Sequence, residues 1–135
     1  MNNDVRRALI ARAMAARERA YAPYSNYPVG AALLAASGKI YDGVNVENAA
    51  YPAGICAERT ALAKAVSEGE RQFEAMAVTT NDGSSPCGMC RQMLSEFGLD
   101  LAVLLVNDEG TLIHETTLND LLPRAFGPAD LGSDE

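Results

Sequence analysis

Apolar positions recur along this chain with two different periods, and the switches between them mark out the elements. Val5, Leu9, Ala13, Ala16 and Ala20 follow the three-four spacing of one helix face over residues 4–20, with arginines filling much of the rest. Abundant alanine favours that helix strongly. Pro23 and Pro28 then end it and hold an extended, aromatic loop, Tyr21-Ala22-Pro23-Tyr24-Ser25-Asn26-Tyr27-Pro28. Residues 29–35 read as a strand, Ser37-Gly38 as a turn and residues 39–47 as the return strand of a hairpin. Residues 48–54 carry little regular signal and read as a loop. A helix is predicted over 56–68, stopped by Gly69, then a strand over 73–79 and a turn-rich stretch over 81–86. A further helix is predicted over 88–97, with Gly98 as its C-terminal stop. The near-continuous apolar run 101–106 has the pattern of a strand buried on both faces. Asn107-Asp108-Glu109-Gly110 turns into a last strand over 111–115, and residues 118–122 read as a short helix before Pro123. Strands alternating with helices in the middle of the chain imply an α/β fold whose sheet is partly parallel and covered on both faces.

Length, charge and leader signals narrow the class. A chain of 135 residues forms one domain with a real core, and the reading is a single domain over 1–135 with a loose tail at 132–135. The formal net charge of −7 repels phosphate backbones, so neither duplex nucleic acid nor polynucleotide editing is expected, whereas a small uncharged ligand remains open. The N-terminus has no signal-peptide pattern, and no apolar run is long enough to cross a membrane. The expectation is a cytoplasmic protein with no membrane partner. In that compartment grouped cysteines point to metal binding or catalysis rather than to disulfides.

The cysteines are grouped. Cys56 stands in Cys56-Ala57-Glu58, and Cys87 and Cys90 in Pro86-Cys87-Gly88-Met89-Cys90; there is no fourth. Both groups fall at predicted helix starts, where partial positive charge lowers thiol pKa. Cys87 and Cys90 share a helix face, and a second helix alongside would bring Cys56 to the same ion. A lone C-x-x-C pair is a weak signal, and free cysteines are often plain buried apolar residues. Three thiolates together suggest zinc with an open fourth position, where a water can be activated. Such a site carries excess negative charge, and Arg59, one turn from Cys56, is the first candidate to offset it; Arg91, next to Cys90, is the second. Glu58 alone reads as a first-turn glutamate stabilised by the helix dipole. Beside two cysteine groups it reads as a proton carrier at the open position. His114, the only histidine, lies on a predicted strand far from both groups and reads as a structural or surface residue.

Cys56-Ala57-Glu58-Arg59-Thr60-Ala61 followed by Pro86-Cys87-Gly88-Met89-Cys90-Arg91-Gln92 closely resembles the small, homotetrameric zinc-dependent cytidine deaminases of pyrimidine salvage. Residues 24–33, 43–51 and 121–126 resemble the same family in the same order, so the likeness runs from the first helix to about Leu131. The resemblance implies a three-layer α/β/α sandwich with a five-stranded mixed sheet. It implies Cys56, Cys87 and Cys90 as ligands of Zn²⁺ and Glu58 as proton shuttle. It implies Asn45 and Glu47 as partners of the ribose hydroxyls; two apart on a predicted strand, they face one way. Tyr27 stands where the family usually has phenylalanine near the base. Tyr51 and Phe126 match aromatic positions that family members lend to neighbouring subunits; on pattern alone Phe126 reads as a core anchor. Backbone near Ala57 and Ser85 would steady the tetrahedral centre. The implied reaction is attack by a zinc-activated water on C4 of cytidine or 2′-deoxycytidine, giving uridine or 2′-deoxyuridine and ammonia.

Two other readings stay open on sequence. One is a deaminase of the same fold for an unusual cytosine nucleoside, such as the antibiotic blasticidin S; the intact Asn45–Tyr51 segment argues for ordinary ribosides. The other is a non-catalytic module in which zinc merely joins two helices, against which no fourth ligand is evident.

Overall fold

The computed structural model describes residues 1–132, so most of the expected loose tail, residues 133–135, lies outside the described residues. The element order is α1 (Asn3–Arg17), β1 (Gly30–Ala35), β2 (Ile40–Val44), α2 (Ala57–Ser67), β3 (Phe73–Thr79), α3 (Gly88–Ser95), β4 (Ala102–Val106), β5 (Leu112–Thr117) and α4 (Leu118–Leu121). Short 3₁₀ turns occupy Tyr51–Ala53 and Pro128–Leu131. The five strands form one mixed sheet in the order β2-β1-β3-β4-β5, in which only β3 and β4 run parallel. This is the expected α/β sandwich.

Two cores lie on opposite faces of the sheet, and strand alternation sorts side chains between them. Ala32 and Leu34 of β1 point with Ala75, Ala77, Leu104 and Val106 toward Leu9 and Ala13 of α1. Ala31, Leu33 and Ala35 point the other way, toward Ala57, Ala61, Leu62 and Ala65 of α2 and Leu94 of α3. β1 is therefore buried along its whole length. At Gly30 a methyl group would lie 2.1 Å from the Ala13 carbonyl oxygen and 2.6 Å from the Arg17 nitrogen. Only glycine lets the end of α1 approach the sheet this closely.

Several boundaries depart from the pattern. α1 ends at Arg17 rather than 20, because Arg19 and Ala20 donate to the Ala16 and Arg17 carbonyls in a tighter turn. β2 ends at Val44 rather than 47. Beyond it the Asn45 N–H turns to the Val29 carbonyl, and Val46 bridges both Tyr21 and Ile55. α3 stops at Ser95, two residues before the expected end, with Gly98 at φ 128° just past it. β5 extends to Thr117, whose hydroxyl accepts the Asp120 N–H and caps α4. Among the described residues no helix is long and apolar enough to cross a membrane.

Candidate active site

Cys56 is the residue immediately before α2, and Cys87 the residue immediately before α3. Each sits in extended backbone (φ −80°, ψ 156° and φ −68°, ψ 168°), so its side chain lies beside the unpaired N–H groups of a helix start. The two helices pack side by side on one sheet face. Their first turns meet, and Cys90, fully buried in α3, completes the group.

The three sulfurs lie within 4.8 Å of one another, Cys87 to Cys90 at 3.4 Å and Cys56 to Cys87 at 3.9 Å. A disulfide needs about 2.05 Å, so these are free thiols. Zinc–sulfur bonds of about 2.3 Å at tetrahedral angles set sulfurs roughly 3.8 Å apart, so this donor set fits zinc with three protein ligands. Arg59 lies against it, with Nη2 3.9 Å from the Cys56 sulfur. Hydrogen bonding from Cys90 first, then Arg59 and Cys87, pulls the Cys56 thiol down to about 5 against the opposing effect of burial. Cys90 is pushed upward by its hydrogen bond with Cys56 and by burial. Arg59 is the guanidinium the sequence placed here.

Arg91 does something else. Its Nε donates to the Pro86 carbonyl at 2.7 Å, Nη1 to the Leu121 carbonyl at 2.7 Å and Nη2 to the Ser85 hydroxyl at 2.6 Å. It holds the loop before Cys87 and ties α3 to α4 rather than facing sulfur.

Glu58 is 5% exposed in the first turn of α2 and lines the same cleft as Cys56 and Cys87. Burial raises its carboxyl to about 7, the Cys56 charge adds to the rise, and Arg59 opposes it. A carboxyl near neutrality can both take and give a proton at working pH.

The cleft has a volume of about 740 Å³. Its walls include Tyr27, Asn45, Glu47, Tyr51, Ala57 and Ser85, all expected site residues. Asn45 and Glu47 lie past the end of β2, yet both reach the cleft and grip the loop opposite. Asn45 Oδ1 accepts the Val29 N–H at 2.9 Å and its amide donates to the Tyr27 carbonyl at 2.9 Å. Glu47 Oε1 accepts the Tyr24 and Ser25 N–H groups at 3.0 and 3.1 Å, and Oε2 accepts the Ser25 hydroxyl. The Ser25 hydroxyl bond, ahead of those two N–H groups, holds the Glu47 carboxyl below its ordinary value. Ser25 was not singled out from the sequence, although it lies in the 24–33 segment that resembles the family, because its partner Glu47 is 22 residues away.

Two expected residues stand apart. Tyr51 is 78% exposed at the cleft rim, edge-on to Tyr24 at 6.4 Å. Phe126 does not reach this cleft. It is 58% exposed and lines a separate groove with Phe97 and Pro128 beyond the end of α3, so it is not a core anchor of its own chain. His114 is exposed on the edge strand β5, away from the thiols.

Comparison with known proteins agrees with this geometry. A family model described as "Cytidine and deoxycytidylate deaminase zinc-binding region" matches residues 3–106. A cytidine deaminase of Sporosarcina psychrophila is 55% identical over 126 residues, covering 91% of this chain and 92% of the relative. One from Halalkalibacterium halodurans is 49% identical over 129 residues, covering 93% and 97%. The 1.6 Å crystal structure of cytidine deaminase from Burkholderia pseudomallei superposes with a TM-score of 0.85 at 49% identity, covering 93% of this chain and all of that one. With thiol triad, buried glutamate and matching family model in register, the chain belongs to the zinc-binding cytidine and deoxycytidylate deaminase family.

Proposed function

We propose that this protein hydrolyses cytidine and 2′-deoxycytidine to uridine and 2′-deoxyuridine with release of ammonia, as a salvage enzyme of the cytoplasm. The observation that carries the reading is the buried Glu58 set beside Cys56, Cys87 and Cys90 in one cleft of nucleoside size. In this reading residues 1–135 form one catalytic domain.

Cys56, Cys87 and Cys90 would hold zinc, which when bound would supply a Lewis acid able to acidify water. Glu58 would take a proton from the attacking water and deliver it to N3 of the ring as oxygen adds to C4. It then moves the second proton from the new C4 hydroxyl to the amine, ammonia leaves, and N3 keeps its hydrogen in the uracil product. Burial suits Glu58 to both steps by keeping its carboxyl near neutrality. Ala57 and Ser85 border the cleft beside the thiols, where their backbone can steady the tetrahedral carbon. Asn45 and Glu47 retain unused hydrogen-bonding capacity toward the cleft and are assigned to the ribose hydroxyls. Tyr27 lines the base end. Tyr51 and Phe126 are assigned to sites shared between copies of the chain in a homotetramer; the exposure of both rings supports this.

The test is conversion of cytidine by purified protein, followed by the ultraviolet change on deamination. Glu58→Ala is expected to keep its zinc and lose turnover by at least about 10³-fold. Near-normal activity in that variant would sink the mechanism.

A further inference from the structure

Two loops face each other across the base end of the cleft. One is residues 24–28, carrying Tyr27; the other is residues 80–86, carrying Ser84 and Ser85 and leading into Cys87. The second loop is built as a fixed turn. Thr80 Oγ1 accepts the Gly83 and Ser84 N–H groups at 2.8 and 3.0 Å, and Gly83 takes φ 80°. A methyl group on Gly83 would meet the Ile113 side chain at 2.7 Å, so the turn sits tightly against β5. Asp82 also bridges Asn107.

Asp82 does not line the cleft. It stands behind Tyr27, whose hydroxyl donates to its Oδ1 at 3.1 Å, the one hydrogen bond of that hydroxyl among the described residues. The same oxygen accepts the Ser84 hydroxyl at 2.6 Å and the Ser84 N–H at 3.2 Å. The Ser84 hydroxyl, then Tyr27, hold the Asp82 carboxyl below its ordinary value, so the acceptor is ionised at neutral pH. Arg17 joins the same two loops lower down, through the Pro28 carbonyl at 2.9 Å and Asn81 Oδ1, but it grips neither the Tyr27 ring nor Ser84. Asn45 and Ser25 hold the Tyr27 backbone, and the far end of the ring is held by its own hydroxyl.

We infer that Asp82 is a positioning residue that, through the Tyr27 hydroxyl and Ser84, braces the two loops and fixes the Tyr27 ring against the substrate's base. This rests on the functional reading above. The hydroxyl that distinguishes Tyr27 from a phenylalanine then preorganises a wall that a plain ring would leave free to shift.

The test is a double-mutant cycle of Tyr27→Phe, Asp82→Ala and the pair, each loaded with zinc. Asp82→Ala also removes the bond that the Thr80 hydroxyl donates to Asp82 Oδ1 at 3.3 Å, but Thr80 Oγ1 still accepts the Gly83 and Ser84 N–H groups that shape the turn, and Tyr27→Phe removes a single oxygen. Tyr27→Phe is expected to raise KM for cytidine about fivefold with the loss absent from kcat. The pair is expected to be no worse than Asp82→Ala alone, because both changes break the same link. Calorimetric binding of cytidine to the same four proteins, each also carrying Glu58→Ala so that zinc stays and turnover is lost, should show the same non-additive weakening, and it scores the brace apart from the reaction. An unchanged KM and affinity in Tyr27→Phe, or additive losses in the pair, would overturn the inference. A wild-type protein that binds cytidine without deaminating it would overturn the functional reading instead, and the binding cycle would still decide the brace.

Discussion

Arg59 offers a single positive charge to a site that three thiolates leave electron-rich. Its Nη2 lies 3.9 Å from the Cys56 sulfur, and its Nε is buried without a hydrogen-bond partner among the described residues. A guanidinium held there draws electron density from sulfur and makes a bound metal a better acid. Arg59→Gln keeps length and loses the charge. It is expected to lower kcat by about 10–100-fold while zinc content stays near one per chain, read by steady-state kinetics beside metal analysis. Loss of zinc in step with activity would make Arg59 a structural support instead. This residue was legible in the sequence because its partner is one helical turn away. Arg91 was not: its carbonyl partners Pro86 and Leu121 are 5 and 30 residues distant, and nothing local in the sequence announces the second. The same holds for Asp82 and Tyr27, 55 residues apart.

Elements place these side chains, and the tolerance that bears on the thiols lies where α2 meets β2. At Gly43 a methyl group would lie 2.5 Å from both the Ala57 carbonyl oxygen and the Ala61 nitrogen. Both are backbone atoms of the first turns of α2, directly after Cys56, so no side-chain rotation can relieve the clash. Gly43→Ala is expected to push that turn outward and cost about 2–3 kcal/mol of stability, read as a lower denaturant midpoint. Zinc affinity should fall as well, because Cys56 moves while Cys87 and Cys90 stay. Normal stability and metal binding in this variant would mean that the helix sits less tightly than its backbone contacts require. Element type was legible throughout, because the period switches between strand and helix are strong here. Ends were less so. The β-like pattern through residue 47 persists in sequence, but Asn45 and Glu47 spend their side chains on the 24–29 loop, and their backbone leaves the hairpin ladder. That detour is what carries both residues into the cleft.

At the scale of the whole molecule, the chain leaves Tyr51 and Phe126 exposed, the first on the cleft rim and the second in a groove of its own. Phe126 is held in place, since Gln92 Nε2 donates to its carbonyl at 2.9 Å and the Asp130 carboxylate caps the following Gly127. A ring presented on a tethered backbone costs apolar exposure in a lone chain and gains burial only against another copy. If Phe126 completes a neighbour's cleft, one chain supplies Glu58 and another supplies the ring. Phe126→Ala and Glu58→Ala homo-oligomers should then each be impaired. Mixed after dissociation and reassembly, they should recover activity, because some clefts receive an intact Glu58 from one parent and an intact Phe126 from the other. With random mixing of equal amounts, about a quarter of the clefts would be whole when each draws on two chains. Recovery toward that level, together with a tetramer mass by sedimentation, is the expected result. If activity instead follows the average of the two parents, Phe126 acts within its own chain or not at all, and the shared-site assembly is wrong.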